Sequence, residues 1–381
     1  MRKLFSVITV TVLLIIITYS CSPSSSNTND FDNTTVIEVP FKKMQRTDKI
    51  DRLSLFDSIR VVYLDCEKDE NIIGPINDIR IVDDHIFISD EKCVHIFDMN
   101  GKNQITINRH GRGHGEYLTL RKFDVNPRSK IIHIFDSTQR KIIKYTYDGT
   151  YVGEIMLEER LFRDFAILPN GDYLFYSANY QEGARRGLWQ TDSNTVLVKH
   201  LIYIDDSFKY GTIKSNSLVH INDSVVGLMG GEDNNLFYHI TQDTIIKCYR
   251  MVCDLNIPKK IQRSEVFKEN QKTKLYGKED FVETEKILSF CVTNYSGLDI
   301  QIVYDKTKNK VYRIYDYTDY DDDINMFRNK NLPPTLPNFE LCDNNYIIGF
   351  FSVDDILSST SLKSIFPMIT SQSNPVLYIF H

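Results

Sequence analysis

From position 59 onward the chain sets short apolar, β-branched and aromatic runs between Asn-Gly, Asp-Gly, Asp-Asp and Asn-Asn pairs. Short period-two runs read as strands with one buried side, and such dipeptides read as tight turns. The first clear series is 79–82, a turn at Asp83-Asp84, then 85–89, 94–98, a turn at Asn100-Gly101, and 104–108. The same order restarts at Phe123-Asp124-Val125, runs through 131–135 and 142–147, turns at Asp148-Gly149 and ends with 151–156. Later series open at Asp164, Ser217, Leu288 and Asn338. Openings spaced by roughly 40 to 70 residues suit a four-stranded propeller blade. The predicted fold class is therefore all-β, a six-bladed β-propeller with a short helical insertion. That insertion is placed at about 258–285, where lysines and glutamates alternate with Val266, Phe267, Leu275 and Tyr276. The β-rich pieces 34–40, 59–64 and 375–380 lack a series of their own and are expected to close the ring, because an open array would leave apolar faces and strand edges exposed.

The amino terminus follows a different pattern. Arg2 and Lys3 precede an apolar run over 4–17 broken only by Ser6, Thr9 and Thr11. This is the pattern of a secretory signal peptide, assigned to 1–20. The run is shorter than the ~20 residues of a membrane-spanning helix, the alternative reading. Ser20-Cys21 resembles the lipobox of bacterial lipoproteins, with Tyr19 standing where a small residue is usual. The resemblance implies lipid attachment at Cys21 and a membrane as partner through that lipid, held by about 0.8 kcal/mol per buried methylene. Residues 21–35 are polar and form a flexible tether, and 36–381 form the propeller. In the lipoproteins this segment resembles, an acidic tag after the lipidated cysteine favours the cell surface; 22–28 has no acidic residue, so the resemblance implies the periplasmic face of the cell envelope.

Composition narrows the function. With 42% hydrophobic residues in 381, there is material for a large core and wholesale disorder is excluded. A net charge of -6 provides no global positive field, so nucleic acid is not expected as a partner. Apart from Cys21, the six cysteines are scattered without a CxxC pair, so neither a metal site nor any cofactor is expected and buried free thiols are favoured over disulfides. Neither a Gly-x-Ser-x-Gly elbow nor an HExxH motif is present.

The most unusual passage is Arg109-His110-Gly111-Arg112-Gly113-His114-Gly115-Glu116-Tyr117. Alternate glycines allow close backbone approach, and Arg109, His110, Arg112 and His114 suit a carboxylate or phosphate, with Glu116 as a further candidate. The structural alternative is a tight crossover between blades in which Glu116 and Tyr117 bond to neighbouring backbone. Tyr180 and Trp189 are candidates for a sugar-stacking rim, with Arg185 and Arg186 on the loop between them. The alternative for the aromatic residues is core packing. No catalytic residue is assigned.

Taken together, Cys21, the segment Leu55-Phe56-Asp57-Ser58-Ile59-Arg60, the phrase His95-Ile96-Phe97-Asp98-Met99-Asn100-Gly101, the glycine-rich loop and the ending Asn374-Pro375-Val376-Leu377 carry a family resemblance. The chain resembles the six-bladed β-propeller lipoproteins of Bacteroidota, which are NHL-like; His114 stands where that family usually has proline. The resemblance implies architecture and envelope location and supplies no catalytic residues. The expected function is a binding or protein-interaction scaffold for a glycan, peptide or envelope protein. The alternative is an envelope lyase or hydrolase with His110, Arg112, His114 and Glu116 near the channel mouth.

Overall fold

Hairpins with very short turns build the molecule, and their turn residues explain why. In the computed structural model, which describes residues 34–38, 55–158, 162, 164–178, 185–204, 217–230, 236–252, 275–294, 299–314 and 341–381, Asp83 and Asp84 have φ of 51° and 59°, and Asn344 and Asn345 have 47° and 67°. Two successive left-handed residues match the twist of the flanking strands, and Asp and Asn tolerate them best after glycine. Gly101, at φ 85°, has no room for a side chain: a Cβ would sit 2.1 Å from the Tyr63 carbonyl oxygen.

The chain divides into Met1–Asp32 and Asn33–His381, and all described residues belong to the second unit. The predicted signal peptide, Cys21 and most of the tether lie outside the described residues. The strands β1 (Thr34–Glu38) and β2 (Ile59–Tyr63) come first. Next, β3 (Asp78–Val82), β4 (His85–Ser89), β5 (Val94–Asp98) and β6 (Asn103–Ile107) form one antiparallel sheet. A second comprises β7 (Leu120–Asn126), β8 (Ile131–Asp136), β9 (Lys141–Thr146) and β10 (Tyr151–Met156). A third comprises β11 (Asp164–Ile167), β12 (Tyr173–Ser177), β13 (Gly187–Thr191) and β14 (Leu197–Tyr203). Then come β15 (Leu218–Asn222), β16 (Val225–Met229), β17 (Leu236–Ile240) and β18 (Ile245–Val252), followed by the separate sheet β19 (Leu275–Glu283), β20 (Ile287–Asn294), β21 (Asp299–Asp305) and β22 (Lys310–Ile314). The chain ends with β23 (Leu341–Asp343), β24 (Tyr346–Phe351), two short helices α1 (Val353–Ser358) and α2 (Thr360–Ile365), and β25 (Val376–Phe380).

The sheet containing β15 has nine strands, in the order β1-β18-β17-β16-β15-β23-β24-β25-β2. It consists of two antiparallel four-stranded runs joined by a single parallel pairing, His220 with Asp343, plus β1 at one edge. The inner strands β3, β7, β11, β15, β19 and β23 touch in that cyclic order, and β23 returns to β3. Sheets radiating from a common ring of inner strands make an all-β propeller with little helix. Among the described residues no helix is long and apolar enough to cross a membrane.

The termini meet in one sheet, since β2 pairs with the C-terminal β25 from Ile59–Phe380 to Tyr63–Val376. The piece beginning at Thr34 differs from expectation. It lies parallel to β18, with Thr34 opposite Cys248 and Glu38 opposite Val252, and so covers the far edge of the nine-stranded sheet instead of pairing beside β2 and β25. The expected helical insertion also needs correction. Residues 258–274 lie outside the described residues, and Leu275–Glu283 is strand β19, not helix. Its Lys and Glu content favours a helix, but burial of Phe281, Val282 and Glu283 in the ring overrides that weak propensity. The observed helices lie between β24 and β25, where Ser352 and Asp355 form a reciprocal capping box.

The core lies between adjacent sheets. Phe87, Phe123, Ile134 and Tyr145 pack together, as do Phe135, Phe162, Phe165, Phe175 and Trp189. Each large side chain so buried contributes roughly 1.5–3 kcal/mol. Among the described residues, Cys66, Cys93 and Cys342 are free thiols; Cys21 and Cys253 lie outside them.

Candidate functional site

Alternate residues of a strand point the same way, so inner strands carrying charge at every second position bring those charges together. Asp78 and Arg80 come from β3, Lys122 and Asp124 from β7, Asp164 from β11, His220 from β15 and Asp343 from β23. Asp78, Arg80, Lys122, Asp124 and His220 line a narrow cavity among these strands. Arg80 is the hub. Its guanidinium meets the Asp124 carboxylate, and Nε donates to Asp343 Oδ2 at 2.8 Å. Lys122 Nζ lies 2.8 Å from Asp164 Oδ1 and 3.4 Å from Asp78 Oδ2. The same carboxylates bind the backbone of the next strand. Asp343 accepts from Ile81 N–H at 2.7 Å, Asp124 from Ile167 N–H at 2.6 Å, and Asp164 from Leu218 N–H at 2.8 Å. His220 Nε2 is 3.0 Å from Asp124 Oδ2.

Protonation follows from this packing. Burial raises the Asp78 pKa, with Lys122 opposing and Asp164 adding to it. Burial would lower the Lys122 ammonium, yet Asp164 and Asp78 outweigh it and its pKa rises. Burial, with Arg80 beside it, brings His220 down from 6.5 to about 3, so the imidazole is neutral at pH 7. A second cluster joins β17, β19 and the turn after β21. There Glu283 Oε1 is held by His239 Nε2 at 2.8 Å and Lys306 Nζ at 2.5 Å. Burial would raise Glu283, but Lys306 and His239 lower it. In both clusters the charged groups bind one another and the backbone, an arrangement that clasps strands together. The cavity among β3, β7, β11, β15 and β23 leaves space for about one water molecule.

The glycine-rich loop joins β6 to β7. Tyr117 N–H donates to Arg109 O at 2.9 Å, and Gly111 N–H to Tyr117 O at 3.0 Å. The Tyr117 hydroxyl donates to Lys92 O at 2.7 Å or Ile107 O at 2.9 Å. Glu116 turns back onto its own loop, where Oε2 accepts from Gly113 N–H at 2.8 Å. Gln139 Nε2 donates toward Gly111 O, Glu116 O and Asp136 Oδ2. Gly115, at φ 69°, lies under the Tyr151 ring, and its carbonyl accepts from Tyr145 OH. The loop is thus a fastened crossover with an exposed outer surface. Arg109, His110, Arg112 and His114 are exposed, His114 with 92% of its side chain in solvent and Nδ1 3.5 Å from Glu154 Oε1.

Of the other predicted group, Trp189 and Arg186 are buried and form no exposed rim. Trp189 is only 1% exposed, packed on Phe175 with ring centroids 6.0 Å apart. The reason is its place on β13, an interior strand whose five residues are all buried. Arg186 is also buried, with Nη2 donating to Ala178 O at 3.0 Å. Arg185 lies over the Trp189 ring, 5.7 Å from its centroid. Tyr180 lies outside the described residues. The axis residues Arg80, Lys122, Asp124, Asp164, His220 and Asp343 were not singled out from sequence. The available signal was a charged residue inside each strand that opens a series, spaced by two where there is a pair, as in Asp78-Ile79-Arg80 and Lys122-Phe123-Asp124.

Similarity to other proteins agrees with this architecture. The chain belongs to the DUF4934 family, described as a domain of unknown function, which matches residues 34–381. It is similar in fold to a protein of Bacteroides fragilis described as exported, with a TM-score of 0.72 at 18% identity over 91% of this chain and 99% of that one. It is also similar to a DUF4221-family member from Bacteroides vulgatus, with a TM-score of 0.51 at 9% identity over 85% of this chain and 96% of that one. No curated protein matches the chain.

Proposed function

We propose that this DUF4934 protein is an exported, lipid-anchored, six-bladed propeller of the cell envelope that binds an anionic ligand without transforming it. The six-bladed reading is supported by counting the two four-stranded runs of the nine-stranded sheet separately, beside the four sheets of four strands, which leaves one run for each inner strand. Export and anchoring rest on the segment 1–20 and Cys21, and the fold shared with a Bacteroides protein described as exported agrees with them. The observation that carries the binding reading is the division of charge on the crossover: Glu116 is turned onto Gly113 N–H, while Arg109, His110, Arg112 and His114 are exposed beside one another in sequence. Exposed arginines on a backbone fixed by Tyr117 and Gln139 suit carboxylates of an acidic glycan or peptide.

The test is calorimetric titration of the detergent-solubilised full chain with a uronic-acid polymer and with a neutral polymer of similar length. Binding to the acidic polymer should weaken with salt and fall about tenfold or more in the Arg109→Ala, Arg112→Ala double variant, with an unchanged melting temperature. Equal binding of both polymers, or an unaffected double variant, would remove the crossover from the binding role.

A further inference from the structure

We propose that Asp90, Cys93 and His95, at the hairpin between β4 and β5, form a site for a single transition-metal ion of the zinc class. The three side chains are buried, and one ligand atom from each lies within 4.8 Å of the other two. A thiol, an imidazole and a carboxylate form a donor set of borderline softness that suits Zn²⁺ and its spectroscopic substitute Co²⁺, and does not suit Mg²⁺ or Ca²⁺.

Geometry favours a metal over a simple ion pair. Asp90 Oδ1 is committed to Lys92 N–H at 2.7 Å and Cys93 N–H at 2.6 Å. Oδ2 accepts Gly74 N–H at 2.9 Å through one lone pair, which leaves the other. That lone pair faces His95 Nε2 across 3.4 Å, long for a charge-assisted hydrogen bond. Tetrahedral zinc with bonds of about 2.0–2.2 Å to nitrogen and oxygen places those two donors about 3.4 Å apart. A small closing movement of Cys93 Sγ would complete a three-ligand face with a fourth position left for water. The outer shell is already built: the three backbone amides orient the carboxylate, and Thr106 Oγ1 lies 3.3 Å from His95 Nδ1, leaving Nε2 to the metal.

The other sheets provide an internal control. His95 pairs with Ile88 just inside the hairpin; the position of the same register is Ile142 in the second sheet and Leu188 in the third. The fold is therefore satisfied by an aliphatic residue there, and among the described residues a buried imidazole grouped with a thiol and a carboxylate occurs at this hairpin alone. Without metal, burial and the nearby Asp90 push the Cys93 thiol up to about 11. Metal uptake would replace the thiol proton, which passes to solvent, giving a thiolate, a neutral imidazole and a carboxylate around the ion.

The experiment uses the full chain in detergent, stripped by chelator, reduced, and titrated with Co²⁺ and then Zn²⁺. One Co²⁺ per chain is expected, with a thiolate-to-cobalt charge-transfer band and tetrahedral d–d absorption, both displaced by Zn²⁺. Cys93→Ser should abolish the charge-transfer band, His95→Gln should weaken Co²⁺ uptake by about tenfold or more, and Cys342→Ser should change neither. X-ray absorption of the wild-type chain loaded with one equivalent of Zn²⁺ needs no variant, and one sulfur in the first coordination shell is expected. A shell of nitrogen and oxygen alone, absence of the charge-transfer band in the wild type, or its persistence in Cys93→Ser would overturn the proposal.

Discussion

The axis and the glycine-rich crossover are both crowded with charge, yet they use it in opposite ways. At the axis, Arg80, Lys122, Asp124, Asp164 and Asp343 are buried or nearly so, and each contacts an opposite charge on another inner strand. Three of the carboxylates also accept a backbone amide from the strand that follows. On the crossover the backbone is fastened by neutral and internal partners, Tyr117, Gln139 and the inward Glu116, and the cationic side chains stay in solvent. Charge on a strand that opens a sheet binds neighbouring strands, whereas charge on the connecting loop stays in solvent. Under the proposed binding role, the propeller separates stability from recognition on neighbouring segments of one chain.

The largest effect that could break this contrast is loss of the hub. Arg80→Met keeps much of the side-chain volume but leaves Asp124 and Asp343 buried beside an absent cation. Stranding buried charge in this way costs about 3–5 kcal/mol, a large fraction of the stability of an ordinary domain. Guanidinium denaturation should show the midpoint falling accordingly, and adding Asp343→Asn should restore part of the loss because one of the two stranded charges disappears. A single-variant midpoint close to that of the wild type would mean that the axis charges do not clasp the ring.

Acidification makes a smaller, graded test of the same cluster. His220 and His133, the latter 2.9 Å from Tyr173 OH, are both brought down by burial from 6.5 to about 3. In the unfolded chain each takes a proton as pH falls through about 6.5, whereas the folded chain refuses it until about pH 3. The unfolded state therefore binds more protons across that window, and the stability these residues contribute above pH 6.5 is lost as pH falls. Glu283, whose pKa is lowered, acts in the same direction at lower pH, and Asp78, whose pKa is raised, acts against it. The urea midpoint should fall between pH 7 and pH 5, and His220→Gln should flatten that dependence. An equally steep dependence in the variant would remove His220 from the account.

The contrast also explains what could be read from sequence. Strands and turns were legible because alternation and left-handed Asp and Asn pairs are local properties, as at Asp83-Asp84. The crossover was legible for the same reason: its glycines and its charges are contiguous. The axis was not, because Arg80 and Asp343 are 263 residues apart and meet only when the ring closes. Leu275–Glu283 was misread as helix because its composition is that of a solvated helix, while its conformation is set by packing between β20 and the axis. Trp189 offered the reverse lesson, since the loop before it drew attention to exposure although its own strand is interior. The proposed metal ligands were overlooked because Asp90-Glu91-Lys92-Cys93-Val94-His95 matches no common zinc spacing, and Asp90 reads as an ordinary turn residue.

The smallest effect, and the sharpest local test, comes from two neighbouring residues of the crossover. Gly115→Ala must place a Cβ at φ 69°, 2.7 Å from the Tyr151 ring, in a loop whose carbonyl at that residue is already bound by Tyr145. Left-handed strain and the ring contact should together cost about 1–3 kcal/mol. His114→Ala removes a side chain almost wholly in solvent, whose neighbour Glu154 is separately held by Lys141 at 2.8 Å. Its effect on stability should stay within about 0.5 kcal/mol. Parallel melting curves would show a clear drop for the first and near coincidence with wild type for the second, while titration with an acidic polymer should separate His114→Ala from wild type by affinity. Equal losses of stability would mean that this surface is fastened through its side chains as well as its backbone, and the crossover would then resemble the axis.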